Sequence, residues 1–350
     1  MGTITRMKLS GPAALALSGL AFLTAIGAAA STELNVYSYR QEYLVQPLIE
    51  LFTESQDVTV NVVYIKEGLL QRLKAEGVNS PADIVLTADV ARLDALAEAG
   101  LLRAVSSPLL DRDIPAQYHG PDGLWFGLTT RARVVYYARD RIEPGELSTY
   151  EDLADPRWRG RICMRSGHHT YNRGLIAAMI AHHGEATTET WLRGVKANLA
   201  RRPQGNDRAQ IKAITEGLCD LSIGNAYYMG LMKQDEEQRH WVEAVAIFFP
   251  NQGDPDRGGW GTHVNISGVA VAKSAKNLAA AVAFIEFLSG NEAQLIYAER
   301  NLEYPVKAGV PWHPEVESWG AFKPDQLGLD AIAAYGPAAT MLVDRVGFDD

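Results

Sequence analysis

Scarce cysteine, no excess of positive charge and no internal hydrophobic run together restrict what this chain can be. Only two cysteines, Cys163 and Cys219, occur in 350 residues. Neither sits in a CxxC or Cys/His spacing, which removes structural zinc and thioredoxin-like redox chemistry. Lysine and arginine number 33 against 42 aspartates and glutamates, an acidic balance that disfavours nucleic acid and anionic membrane surfaces as partners. Beyond the N-terminus no segment is long and apolar enough to span a bilayer. GxSxG, HExxH and a glycine-rich phosphate loop are all missing, so no motif supports an enzyme. There is no low-complexity linker and no short-period repeat.

What is present begins with a leader. Arg6 and Lys8 precede an uncharged apolar run that ends in "GAAAST", the layout of a secretory signal with a small-residue cleavage site. Cleavage is expected near Ala30 or Ser31, and no cysteine follows closely enough for a lipid anchor. Removal of the leader leaves 42 acidic side chains against 31 basic ones, a net charge of −11. An exported protein can form a disulfide. Cys163 in "GRICMRS" and Cys219 in "GLCDLSIG" each stand at the start of an expected strand, so a bridge and a pair of buried thiols are both open.

The mature chain alternates expected strands ("ELNVYSY", "VTVNVVYI", "ADIVLT") with expected helices ("LVQPLIELFTES", "GLLQRLKAEG", "DVARLDALAEAG"). The alternation resumes after "WFGLTTRARVVYYAR" with "RICMRS", "CDLSIG" and "VEAVAIFFP" between helical segments. Such series build parallel sheets covered by helices. Two α/β lobes without a flexible linker imply extended crossovers, for which 129–137 and 263–271 are the candidates. The expected division is a leader at 1–31, an N-lobe of 32–131 with 263–310, and a C-lobe of 132–262 with 311–350. Ligands of open α/β sheets collect at the carboxyl ends of strands.

Tyrosines recur at those strand ends. "YSYRQEY" carries Tyr37, Tyr39, Arg40 and Tyr43; "RSGHHTYN" carries Tyr171; "GNAYY" carries the adjacent pair Tyr227 and Tyr228; "TTRAR" on the crossover carries Arg131 and Arg133. A single tyrosine is more often strand packing than ligand. A pair on a Gly-Asn turn is harder to bury and reads as a binding feature. The adjacent His168 and His169 suit a loop or turn better than a metal, and His182 and His183 suit a helix C-terminus. A phenol has a pKa near 10 and ionises at neutral pH only beside strong positive charge; a bound cation supplies it. Hard oxygen anions select a hard, highly charged ion, and Fe³⁺ fits best, since Ca²⁺ and Mg²⁺ recruit carboxylates and carbonyls. An arginine would balance surplus phenolates or hold a carbonate-like anion.

With these residues in place the mature chain resembles, nearly end to end, the periplasmic ferric-iron-binding proteins of bacterial ABC importers. The matching pieces are "NVYSYR", "DIVLTADVARLDALAEAGLL", "GLTTRARVVYY", "DLADPRWRGRICMRS", "TYN", "CDLSIGNAYYMG" and "GGWGTHVNISGVAVAK". The resemblance implies a two-lobed type II periplasmic-binding-protein fold and a monomer that delivers Fe³⁺ to an inner-membrane permease. It implies Tyr171, Tyr227 and Tyr228 as metal ligands, with Arg131 and Arg40 beside the metal or a synergistic anion such as carbonate. Many relatives read Tyr-Ser-x-Arg-His-Tyr in the first lobe, whereas this chain reads Tyr-Ser-Tyr-Arg-Gln-Glu-Tyr. Tyr43 is the best counterpart there and Tyr39 the second. The basic residue that some relatives carry four positions after the tyrosine pair is Met232 here. A small organic cation or oxyanion in the same fold is the competing expectation.

Overall fold

The computed structural model describes residues 32–254 and 258–350; the expected leader lies outside them. β1 (Thr32–Ser38) pairs in parallel with β2 (Val58–Tyr64) on one side and β3 (Ile84–Thr87) on the other, and α1 (Glu42–Ser55) and α2 (Leu69–Glu76) form the crossovers. Helix α1 begins earlier than "LVQPLIELFTES" suggests. Its first turn includes Tyr43, and Pro47 lies inside it, where proline removes the helical hydrogen bond to the carbonyl four residues back, that of Tyr43.

After α3 (Val90–Glu98), β4 (Leu102–Arg103) and α4 (Pro108–Asp113) comes β5, the 13-residue strand Phe126–Ala138. Beyond it lie β6 (Ile162–Cys163), α5 (Thr170–His183), α6 (Glu185–Ala197), α7 (Asp207–Thr215), β7 (Leu221–Asn225), α8 (Tyr227–Gln234), α9 (Arg239–Glu243) and β8 (Val245–Phe248). The chain then returns through β9 (Val264–Ala272), α10 (Leu278–Ser289), α11 (Asn291–Asn301) and β10 (Tyr304–Pro305), and ends in α12 (Pro314–Glu317), α13 (Leu329–Ala333) and α14 (Gly336–Val346).

The strand order is β2-β1-β3-β9-β5-β7-β6. β5 is the element on which this order turns. Residues Phe126–Ala132 pair antiparallel with β9, whereas Arg133–Ala138 pair antiparallel with β7 and β8. One strand therefore serves two half-sheets and changes partners between Ala132 and Arg133. Each half-sheet is packed on both faces. Around β1, β3 and β9 the layers are Leu34, Val36, Phe52 and Phe284 on one side and Val85, Leu93 and Ile266 on the other. Around β7 they are Leu221, Ile223, Leu175 and Leu342 on one side and Val134, Tyr136, Ile211 and Met232 on the other. Burial on both faces accounts for the apolar runs that end β5 (134–138) and β9 (269–272). Helix α13 reaches both halves: Leu329 and Ala333 join the layer of α3, and Ile332 joins the layer of α5.

Cys163 and Cys219 are bridged, with Cα atoms 5.8 Å apart. Both are buried. Cys163 closes β6 instead of opening it, and Cys219 lies two residues before β7. The bridge is possible because β6 and β7 are parallel neighbours, with Ile162 opposite Leu221.

Candidate metal centre

The turn that carries the tyrosine pair is built from the inside. Gly224 is the last position but one of β7, and a Cβ there would lie 2.0 Å from the ring of Tyr136. Only glycine lets that ring in. The Tyr136 hydroxyl then donates to the Asn225 carbonyl at 2.5 Å. Asn225 receives Arg133 on its side-chain oxygen at 2.9 Å and donates its backbone N–H to Asp207 at 3.0 Å. The Ala226 N–H donates to the Ala132 carbonyl at 3.0 Å. Helix α8 thus starts at Tyr227 from a backbone held on every side, which fixes where the two phenols point.

Tyr171 reaches the same place from α5. His169 caps that helix, its Nδ1 accepting from the Tyr171 N–H at 3.2 Å. Burial, reinforced by Arg165 and Arg133, pushes the His169 pKa down to about 3, so the ring is a neutral cap. His168 points elsewhere, to Asp344 at 3.0 Å. Asn172, next to Tyr171, accepts from Arg133 at 2.6 Å. Arg133 therefore ties the start of α5 to the end of β7. Its charge is met by Asp207 at 2.7 Å, and Arg165 binds the other Asp207 oxygen at 2.8 Å. Asp207 is fully buried, and burial, which opposes ionisation, is overcome by Arg133 and Arg165, which hold its carboxyl below the usual range.

The result is a cleft of about 520 Å³ lined by Tyr39, Arg40, Tyr43, Arg131, Tyr171, Tyr227 and Tyr228, every site residue expected from the sequence. The hydroxyls of Tyr171 and Tyr227 are 3.4 Å apart, and the rings of Tyr227 and Tyr228 lie 4.2 Å apart. The guanidinium carbons of Arg131, Arg133 and Arg165 stand 5.5, 5.6 and 5.3 Å from the Tyr171 ring, and that of Arg208 stands 5.6 Å from the Tyr228 ring. Burial and the neighbouring hydroxyls of Tyr171 and Tyr228 push the Tyr227 phenol well above its ordinary pKa, against the pull of Arg131. Burial likewise raises Tyr228. Without an added cation these phenols are protonated at neutral pH.

The cleft floor is cationic. Arg131 donates to the carbonyls of Ala88 and of Ile266, the latter at 2.8 Å. Arg40 pairs with Glu303 at 2.8 Å, and Glu303 also accepts from Thr129 and from Ser267. Arg40 pairs with this carboxylate directly, and Arg131 acts on it only through its charge. Nε of Arg131 and both Nε and Nη2 of Arg40 have no hydrogen-bond partner among the described residues. Such unpaired donors suit a small anion.

The two first-half tyrosines differ. The Tyr39 hydroxyl accepts from the Leu69 N–H at 3.0 Å, and Arg92 covers its ring at 3.9 Å. Tyr43 is 57% exposed. Asn206, Arg208, Asp235 and Glu303 also line the cleft and were not read from the sequence. Met232 is fully buried in the core and offers nothing to an anion; Arg208 is the basic group that stands in the cleft instead. Among the described residues no cluster of three His, Cys, Asp or Glu could hold a metal, so the oxygen donors gathered here are mainly phenols. No helix among them is long and apolar enough to cross a membrane.

The sequence profile described as bacterial extracellular solute-binding protein matches residues 48–324. The chain is 45% identical over 319 residues to iron uptake protein A1 of Synechocystis sp., covering 90% of this chain and 87% of that one. The structure of an apo ferric ion-binding protein A from Pasteurella haemolytica superposes with a TM-score of 0.86 at 49% identity, over 91% of this chain and 99% of that one. A Trichodesmium protein solved with iron and citrate ligands superposes with a TM-score of 0.85 at 43% identity, over 90% of this chain and 99% of that one. The architecture is the two-lobed α/β fold of these ferric-binding proteins. These relatives are binding and uptake proteins rather than enzymes.

Proposed function

The chain belongs to the bacterial extracellular solute-binding protein family, and from that premise we propose that it captures ferric iron in the periplasm and delivers it to an ABC permease of the inner membrane. The observation that carries the reading is the convergence of the Tyr171, Tyr227 and Tyr228 phenols over a cationic floor, two of their oxygens 3.4 Å apart. Around a small cation with bonds of about 2.0–2.1 Å at right angles, ligand oxygens stand about 2.9 Å apart. A small inward shift therefore brings these two hydroxyls to ligand spacing. Three phenolates would neutralise Fe³⁺, and a fourth from Tyr43 would leave surplus negative charge that Arg131 and Arg40 offset. Their unpaired nitrogens also suit carbonate or another small oxyanion as a co-ligand.

In this reading residues 32–131 with 263–310 form the first lobe, and 132–262 with 311–350 the second. The second lobe holds the metal through Tyr171, Tyr227 and Tyr228, and Tyr43 completes the shell on closure. Tyr39 is set aside because its hydroxyl already serves the start of α2. Hinge closure about a ligand is the working cycle of such two-lobed receptors. The test is to titrate Fe³⁺ into the purified protein and follow visible absorption. A phenolate-to-iron charge-transfer band that saturates near one equivalent and is bleached by a chelator is expected; a colourless iron complex overturns tyrosinate ligation.

A further inference from the structure

Beside the tyrosine cleft, one buried carboxylate joins three separate elements. Asp89 follows β3 and precedes α3, and it is 2% exposed. Its Oδ2 accepts from the hydroxyl of Thr170, the first residue of α5, at 2.7 Å, and from the side-chain amide of Asn265 on β9 at 3.0 Å. Asn265 in turn accepts from the Val90 N–H at 3.0 Å, at the start of α3. Helix α5 also runs close to β9: a Cβ on Gly174 would come within 3.4 Å of Asn265 and 3.3 Å of His263. The other carboxylate oxygen of Asp89 has no partner among the described residues.

Thr170 immediately precedes Tyr171. Whatever holds Thr170 therefore fixes the helix turn from which that phenol projects. The partner, Asp89, lies 81 residues away, on the loop after β3. Resting on the lobe division and the iron reading above, we propose that Asp89 and Thr170 form a closure latch that positions Tyr171, an acceptor on the first lobe gripping the ligand-bearing helix of the second. A hydrogen bond to a buried carboxylate is stronger than a neutral one, and breaking it leaves Asp89 with only Asn265 as a donor. The structure makes this bond, and in this reading parting of the lobes breaks it. It therefore acts on retention of the cargo more than on first contact, because the second-lobe phenols are available in either state. Neither side chain touches the metal, so both are positioning residues.

The test compares Thr170→Val, which keeps the shape and removes the hydroxyl, with Thr170→Ser, which keeps the hydroxyl. Each protein is loaded with Fe³⁺, and decay of the charge-transfer band in excess chelator gives the release rate. Thr170→Val is expected to take up iron with a normal band and release it about tenfold faster, the size of effect a charged hydrogen bond supports. Thr170→Ser is expected to stay within about twofold of wild type. Small-angle scattering should show less compaction of Thr170→Val on iron addition. Equal release and equal compaction in Thr170→Val and wild type, both tinted, overturn the latch. A wild type that forms no band overturns the iron reading instead.

Discussion

The two halves of the cleft are built in opposite ways. At the β7–α8 turn and the start of α5, each tyrosine stands on backbone fixed by buried charge: Arg133 binds Asn172, next to Tyr171, and Asn225, two residues before Tyr227, while Asp207 accepts from Arg133, Arg165 and the Asn225 N–H. At the β1–α1 junction Tyr43 sits in the first turn of a helix whose preceding residue, Gln41, makes no side-chain cap, and the ring is half in solvent. One half is a preformed seat and the other a loosely held arm. A receptor that must both catch and surrender an ion gains from that asymmetry, since the rigid half can bind first and the loose half can let go first.

The severest way to break the comparison is to remove the seat's foundation. Asp207→Ala leaves Arg133 and Arg165 buried without their carboxylate, a loss on the order of 3–5 kcal/mol for an uncompensated buried charge. Urea denaturation should show it, together with loss of the iron band in the protein that remains folded. Unchanged stability would mean that the seat does not depend on this network. Next in size is Tyr227→Phe, which removes one phenolate oxygen at nearly constant volume. Neighbours that merely orient a metal ligand cost about 10–100-fold in affinity when lost, so the ligand itself should cost more than about 100-fold. Competition with a chelator of known affinity measures it, and a cost under tenfold would exclude Tyr227 from the shell.

Much of this was legible in the chain and some of it could not be. The tyrosines stood out because they fall where an apolar strand gives way to a helix, and the cleft collects all of them but Tyr37, which is buried and bonded to Glu76. The foundation did not. Asp207 opens an ordinary polar helix, and nothing local marks it as the partner of Arg133, which is 74 residues away. Glu303 was hidden for the same reason, lying 263 residues from Arg40. The disulfide could not be decided because it depends on β6 and β7 being neighbours, a fact of sheet order and not of spacing. Helix α6 and the C-terminal helices α12, α13 and α14 also went unread. Of these, α13 matters because it packs against both α3 and α5.

A smaller effect follows from pH. Burial holds Tyr227 and Tyr228 above the ordinary phenol range, so these two phenols are protonated at neutral pH, and in the proposed site iron must displace their protons. Binding that releases protons strengthens as pH rises and weakens as it falls. Each proton displaced changes the affinity about tenfold per pH unit. Chelator competition between about pH 6 and pH 8 should give a slope above one proton per iron. A slope of one or less would mean that a single phenol carries the charge, and the seat would lose its claim to be a multi-tyrosinate site.

The finest discrimination is between the two tyrosines of the arm. Tyr43→Phe should weaken iron binding by about tenfold and reduce compaction on loading, while the initial band from the second lobe still forms. The shift is modest because a side chain left half in solvent must be ordered to reach the metal, at a cost of about 0.5–1.5 kcal/mol that subtracts from the bond it makes. Tyr39→Phe should leave affinity within about twofold. Its hydroxyl accepts from the Leu69 N–H at 3.0 Å, so the substitution instead frees one donor at the start of α2 and costs about 1 kcal/mol of stability. The pair separates two explanations of the altered first-lobe motif. If Tyr43→Phe binds normally and Tyr39→Phe does not, the extra residue between Arg40 and Tyr43 has moved the ligand role back to Tyr39, and the arm is then anchored at Leu69 and as rigid as the seat.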